Sequence, residues 1–460
     1  MTNDATVLQA YRFALDPTEA QEQMLRSHCG AQRKAFNWGL ALVKANLDQR
    51  AAERSYGIAD VELTPPVNWS AYGLRKTWNG AKDDVAPWWR ENSKEAYSSG
   101  LANLAAALSN WSSSRAGNRT GARMCFPRFK TRRTRLSCRF TTGAFGLTNT
   151  DRRHVQLPRI GVVRTHESTR KLARHIERGT ARIRSATISF SRGRWFVSFS
   201  VEVERTHRAQ TRSDAVVGVD LGITHLAVLS QPVPGISDEC GMVANPRRLE
   251  RAQQKLRRLQ RRAARRRGPD KRAGTTPSNR WQRANAHVAK LHAKVANARS
   301  DGLHQLTTAL TARFGTVVVE DLNVAGMLGN HRLARRIADA GWGEFRRQLG
   351  YKLGWCGGML TVADRWYPSS KTCSNPVCGV VKAKLRLRDR VFCCDSCCYR
   401  ADRDLNAARN LAALANRATG DDTSSPSCGA TRNEPAGNPC KTNLVGSGYR
   451  HGKPHEGNAA

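Results

Sequence analysis

The chain is short of acid. Over 460 residues, 37 Asp and Glu stand against 76 Lys and Arg, a formal charge of +39. So large an excess of one sign is foreign to an ordinary metabolic enzyme. It calls for a polyanionic partner, nucleic acid before an anionic membrane surface. The chain also lacks any apolar run long enough to span a bilayer, and its opening residues are polar rather than leader-like. These absences predict a cytoplasmic protein without a membrane partner. No P-loop spacing occurs, which excludes a nucleotide-driven motor of that kind. Apolar residues still make up 40%, enough for real cores, and the length predicts more than one domain.

Cysteine is present in quantity, 13 residues in all. Six of them fall between Cys373 and Cys398. Without a secretory leader, such clustering points to a metal rather than to disulfides. Cys373-x4-Cys378 and Cys394-x2-Cys397 read as the two knuckles of a zinc ribbon holding one structural Zn²⁺, four thiolates leaving no open position. Cys393 and Cys398 flank the second pair, so the ligand set stays open at this level.

Asp220 and Glu320 each end a short apolar run, Ala215–Val219 and Thr316–Val319, where a parallel sheet presents functional side chains. A third acid, Asp404, opens an amphipathic stretch. On a helix, Asp404 shares a face with Ala407, Ala408 and Leu411, and should point inward. Asp402 falls on a face with Asn406 and Arg409 and reads as a polar cap. Asp321, next to Glu320 on the strand, should point the other way. If folding joins Asp220, Glu320 and Asp404, they form a carboxylate site for two Mg²⁺ or Mn²⁺ and for phosphodiester cleavage.

Upstream, Thr6–Asp16 alternates like a strand. Asp16-Pro17-Thr18-Glu19 predicts a helix start, with Asp16 as N-cap. Helical, Ala- and Leu-rich sequence follows to Trp111. Cys125–Lys130 interleaves bases and aromatics, making Arg128 and Lys130 candidate nucleic-acid contacts, although a loop with two buried Phe residues fits equally well. Ala186–Phe190 and Trp195–Val203 predict a hairpin turning at Arg192-Gly193. Its natural partner is the first strand, which makes the helices an insertion in a β domain. Arg247–Leu306 predicts a helical hairpin. Its first arm carries Arg257, Arg258, Arg261 and Arg262 with no acid among them, a face that repels itself unless phosphate neutralises it.

The segments VVGVDLGITHLAVLS, VVVEDLNVAGM, YPSSKTCSNPVCG, FCCDSC and ADRDLNAARNL, with FPRFK and LPRIGVVR upstream, resemble the TnpB (OrfB) proteins of bacterial insertion sequences. The resemblance implies a multi-domain α+β fold. A β-barrel wedge domain would comprise 1–16 and 114–210, with a helical recognition module inserted at 17–113. An RNase H-like, RuvC-type nuclease domain would follow at 211–414, carrying the basic hairpin 247–306 and the zinc ribbon 367–400. A disordered tail would cover 415–460. It implies an RNA-guided DNA endonuclease, associated with the bacterial nucleoid, whose guide RNA comes from the transposon end and whose target is DNA. The metal roles fall on Asp220, Glu320 and Asp404, and the zinc roles on Cys373, Cys378, Cys394 and Cys397. Two departures stand out: the family's first knuckle is usually Cys-x2-Cys, and Gly usually occupies the position of Cys398. The competing expectation is a nuclease-silent, RNA-guided DNA-binding protein that represses transposition.

Overall fold

The computed structural model describes residues 5–132, 134–148, 151–205, 214–270, 272–386 and 388–418. The tail expected from 415 onward therefore lies, over 419–460, outside the described residues. No helix among the described residues is long and apolar enough to cross a membrane.

The first half contains β1 (Ala5–Asp16), α1 (Glu19–Ser55), α2 (Ala71–Val85), α3 (Lys94–Arg115), β2 (Ser137–Phe140), β3 (Gly146–Leu147), β4 (His154–Leu157), β5 (Gly161–Thr165), α4 (Arg170–Glu177), β6 (Ala181–Ser191) and β7 (Arg194–Arg205). The β6–β7 turn has φ of 54° at Arg192 and 77° at Gly193, the double left-handed geometry of a tight hairpin that follows strand twist. β7 pairs antiparallel with β1 from Ala5↔Arg205 to Ala14↔Phe196, so the first strand does find the late hairpin, and α1 to α3 lie between them in sequence. The helices share one core with this sheet, through Leu25, Leu40 and Leu101 against Phe140 and Phe199.

Two expectations change here. The strand order β2-β6-β7-β1-β5-β4-β3 is open rather than a closed barrel. β1 leaves β7 and pairs with β5 only at Leu15 and Asp16, while the terminal strands β2 and β3 span four and two residues, too short to meet. The first helix is capped by Thr18, not Asp16. Thr18 and Gln21 exchange the reciprocal bonds of a capping box, and Asp16 remains in the strand opposite Arg164.

The second half contains β8 (Val216–Asp220), β9 (His225–Leu229), β10 (Met242–Ala244), α5 (Arg248–Ala264), α6 (Asn279–Arg313), β11 (Thr316–Glu320), α7 (Val324–Met327), α8 (Ala334–Ala340), α9 (Trp342–Cys356), β12 (Met359–Ala363), β13 (Val391–Cys393), β14 (Arg400–Asp402) and α10 (Arg403–Ala418). Its sheet has the order β10-β9-β8-β11-β12. The first three strands form an antiparallel meander, while β11 lies parallel to β8 and β12. Both faces are covered, which is why the strands read as continuous apolar runs. Val217, Val219, Val317 and Val319 pack with Leu306, Leu310, Phe345 and Leu349 on one side. Val318 packs with Leu411 and Ala415 of α10 on the other. α6 outruns the expected insert, continuing to Arg313 and burying Leu303, Leu306 and Leu310 in that core.

β8 and α10 meet backbone to backbone at Gly218. A Cβ there would lie 2.0 Å from the Ala408 carbonyl oxygen and 2.5 Å from the Ala412 nitrogen. Neither atom belongs to a side chain that could swing aside. Gly218→Ala should therefore push α10 off the sheet and destabilise the protein by about 1–3 kcal/mol. A thermal melt should show the loss, and an unchanged Tm would contradict so close a contact.

Candidate active site

Parallel register sets the first two acids side by side. Val216 to Val219 face Thr316 to Val319 one to one, so the next positions, Asp220 and Glu320, leave the sheet as neighbours. α10 brings the third. Its inner face buries Ala407, Ala408 and Leu411, and that packing turns Asp404 toward the same end of the strands. Burial pushes the Asp220 carboxyl well up, and Glu320, Asp404 and then Asp402 add repulsion, opposed by the Arg403 guanidinium. Three acids from segments about a hundred and eighty-four residues apart at the extremes thus share one electrostatic neighbourhood.

Each acid is held differently. Glu320 Oε1 accepts a 2.6 Å bond from Ser369 Oγ. Asp404 lies 3.3 Å from Arg403 and 3.8 Å from Arg390. Asp402 Oδ1 accepts from the Asp404 and Leu405 backbone nitrogens at 2.9 and 3.1 Å, the bonds of an N-cap. Asp321 points away, accepting from Arg346 at 2.7 Å and Arg365 at 2.6 Å.

One expectation about α10 fails. Asn406, expected on a polar outer face, is fully buried and clamps the loop that leads into the ribbon. Its Nδ2 donates to the Thr372 carbonyl at 2.7 Å, and its Oδ1 accepts from the Ser374 nitrogen at 3.0 Å. One turn on, Asn410 donates to the carbonyls of Ser369 and Thr372 at 2.8 and 2.6 Å. Sequence reasoning missed Ser369, Asn406 and Asn410. The available signal was a pair of asparagines four apart inside a helix, where asparagine is disfavoured unless its side chain has a partner.

The ribbon fits a structural zinc. The sulfurs of Cys373, Cys378, Cys394 and Cys397 all lie within 4.8 Å of one another, the one group of metal-ligating side chains so tightly gathered among the described residues. Two of the S···S separations are 3.6 Å, against an edge of about 3.8 Å for tetrahedral thiolates around Zn²⁺. The Cys397 and Ser396 backbone N–H groups hold the Cys394 thiol down at about 6. The longer first knuckle thus delivers both of its sulfurs. Cys393 and Cys398 stay outside the group. Cys398 sits at φ 57°, the left-handed conformation that glycine adopts without strain.

The candidate nucleic-acid residues are spread. Arg257, Arg258, Arg261 and Arg262 are exposed on α5, and no acid pairs with them among the described residues. Arg128 is exposed too, but Lys130 is half-buried, 3.8 Å over the Phe36 ring, with its backbone bonded to Asn37. Of the two Phe residues in that loop, Phe126 packs against Trp111 and Phe129 is half exposed.

Purified protein should carry about one zinc per chain by elemental analysis. Cys394→Ser should lose it and lower stability, because a structural site contributes folding free energy directly. Folded protein without zinc would refute the site.

A family model described as "Probable transposase" matches residues 198–331, one described as "Cas12f1-like, TNB domain" matches 342–411, and one described as "Helix-turn-helix domain" matches 1–51. In the structure, the described residues of that last range, 5–51, form one strand followed by a single long helix. "Putative RNA-guided DNA endonuclease Rv2885c" of Mycobacterium tuberculosis is 39% identical over 420 residues, covering 88% of this chain and 86% of the relative. InsQ of Escherichia coli K12, whose name carries the same description, is 30% identical over 422 residues, covering 88% and 92%. Among solved structures, Cas12f1 in complex with single-guide RNA and target DNA is similar at a TM-score of 0.48 and 12% identity, covering 88% of this chain and 99% of that one. With this identity sustained along nearly the whole chain, the protein belongs to the OrfB family of insertion-sequence transposases, the TnpB proteins.

Proposed function

We propose that the protein is an RNA-guided, metal-dependent DNA endonuclease of its insertion sequence, the activity for which its relatives are named. The observation that carries this reading is the meeting of Asp220, Glu320 and Asp404 at one end of the central strands, where burial first, and then repulsion from Glu320 and Asp404, push the Asp220 carboxyl up. A bound divalent cation relieves such repulsion, and hard carboxylate oxygens suit Mg²⁺ or Mn²⁺. Such ions supply an activated water and neutralise charge on the phosphate. The chain's own contribution is position. Ser369 holds Glu320, the Asp402 cap fixes the first turn of α10, and the packing of α10 sets Asp404.

The strand order, an antiparallel meander followed by two parallel strands, supports reading 211–414 as an RNase H-like, RuvC-type nuclease domain with 367–400 as its zinc ribbon. The open sheet of β1 to β7, with α1 to α3 inserted after β1, corresponds to the expected 1–16, 17–113 and 114–210 modules and would offer a surface to a guide RNA derived from the transposon end. Pairing between guide and target would supply sequence recognition, while the protein holds the heteroduplex by its backbone. Exposed arginines of α5 and Arg128 suit that contact. Lys130, packed on Phe36, serves the loop's own anchorage first.

With its RNA and Mg²⁺, the protein should cut DNA matching the guide and ignore other duplexes. Asp404→Ala should abolish cutting while RNA and target binding remain. Asp402→Asn should cost little, since asparagine caps as well as aspartate. Undiminished cleavage by Asp404→Ala would refute the site. Tight target binding by the wild type without cleavage in Mg²⁺ or Mn²⁺ would favour a repressor instead.

Replacing Arg257, Arg258, Arg261 and Arg262 with Gln should weaken nucleic-acid binding. The log–log salt dependence should become shallower by about one unit for each arginine that touches a phosphate. An unchanged slope would make α5 a solvated face only.

A further inference from the structure

Beside the acids lies a second feature with no part in the scheme above. Asp321 bridges two guanidiniums, Arg346 at 2.7 Å and Arg365 at 2.6 Å. The cluster therefore keeps one net positive charge, and its arginine side chains are 43% and 48% exposed. A guanidinium has five N–H donors. The carboxylate takes a minority of them, so the rest remain available to a ligand.

Two adjoining cavities share Arg346 and Arg365. One, of about 320 Å³, is also lined by Glu320 and by Trp342, a buried residue whose indole Nε1–H has no partner among the described residues. The other, an open groove of about 500 Å³, is also lined by Asp321 and Trp366. Trp366 is 84% exposed, an unusual state for so large an apolar side chain. It stands on the loop that leaves β12, three residues before the Ser369 that holds Glu320. An exposed ring on one side and Glu320 on the other thus line two cavities joined by the same two tethered guanidiniums.

Resting on the endonuclease reading, we infer that this groove guides an unpaired segment of the DNA strand toward Glu320, with Trp366 stacking a base and Arg346 and Arg365 holding a neighbouring phosphate. A ring can stack only on a base whose face is uncovered, so the ligand is single-stranded rather than duplex. The guanidiniums match a phosphate in charge and in planar donor geometry. Asp321 fixes them in advance, so little side-chain freedom is lost on binding.

The test uses the full protein with its bound RNA, in buffer without added Mg²⁺ or Mn²⁺ so that no strand is cut and the zinc ribbon stays loaded, and a single-stranded oligodeoxynucleotide as probe. Trp366→Ala should weaken binding roughly five- to a hundredfold, the range for loss of one stacked base. Trp366→Phe, which keeps a stacking face, should recover most of it, and duplex affinity should stay unchanged in both variants. In a parallel arm, a 5-iodouracil-labelled strand should photocrosslink to Trp366 in the unaltered protein. Equal affinity of Trp366→Ala and wild type for the single strand, an equal loss toward duplex, or a crosslink elsewhere would each overturn the inference. Cleavage is measured separately. Wild-type protein that never cuts, yet shows the Trp366 effect, would sink the endonuclease reading and leave the groove standing.

Discussion

The site depends on one close approach, the backbone of β8 lying against the backbone of α10 at Gly218. A strand and a helix usually keep a layer of side chains between them. Here the missing Cβ lets them touch, with the would-be atom 2.0 Å from the Ala408 carbonyl oxygen. Asp220 ends that strand and Asp404 opens that helix. Their nearness follows from packing, since no bond joins them. The apolar burial of Ala408, Leu411 and Ala415 holds α10 down against the repulsion of the acids it delivers. Burial of that kind is favourable by about 25 cal/mol per Å² of apolar surface, and it continues along the helix beyond the charges of its first turn.

The ribbon is tied into the same arrangement. Asn406 and Asn410 reach from α10 to the carbonyls of Ser369 and Thr372, just ahead of the first knuckle. Ser369 turns its hydroxyl to Glu320. The loop is thus fixed at one end by four sulfurs and along its length by two buried amides. A buried carbonyl left without a donor would cost about 1–3 kcal/mol, so this loop has little freedom to move. Through it the four-cysteine group, although remote from Glu320, helps hold that carboxylate.

Charge is handled in two ways. Around the acids, arginines stand close but few: Arg403 and Arg390 beside Asp404, and the Arg346–Asp321–Arg365 bridge beside Glu320. On α5, Arg257, Arg258, Arg261 and Arg262 stand together with no acid among them, so that face is uncompensated until a polyanion meets it. The balance at the first location and the imbalance at the second come from one sequence with the same overall excess of base.

The sequence by itself determined what is local. Cysteine spacing announced the ribbon, apolar runs ending in acid announced β8 and β11, and helical periodicity separated Asp404 from Asp402. Strand alternation even paired β1 with β7 across the inserted helices. Tertiary structure decided what depends on contacts between distant segments. The sheet of β1 to β7 stays open because its terminal strands are too short to meet. Thr18 takes the cap because Asp16 is held in a strand. Asn406, polar by type, is buried because the ribbon loop offers it carbonyls, and α6 outruns the expected insert because the sheet of β8 to β12 needs that helix for its core. Residue type and spacing fix which groups are present and on which face of their own element. Only packing fixes which partner each face finds, since burial and hydrogen bonding are properties of pairs.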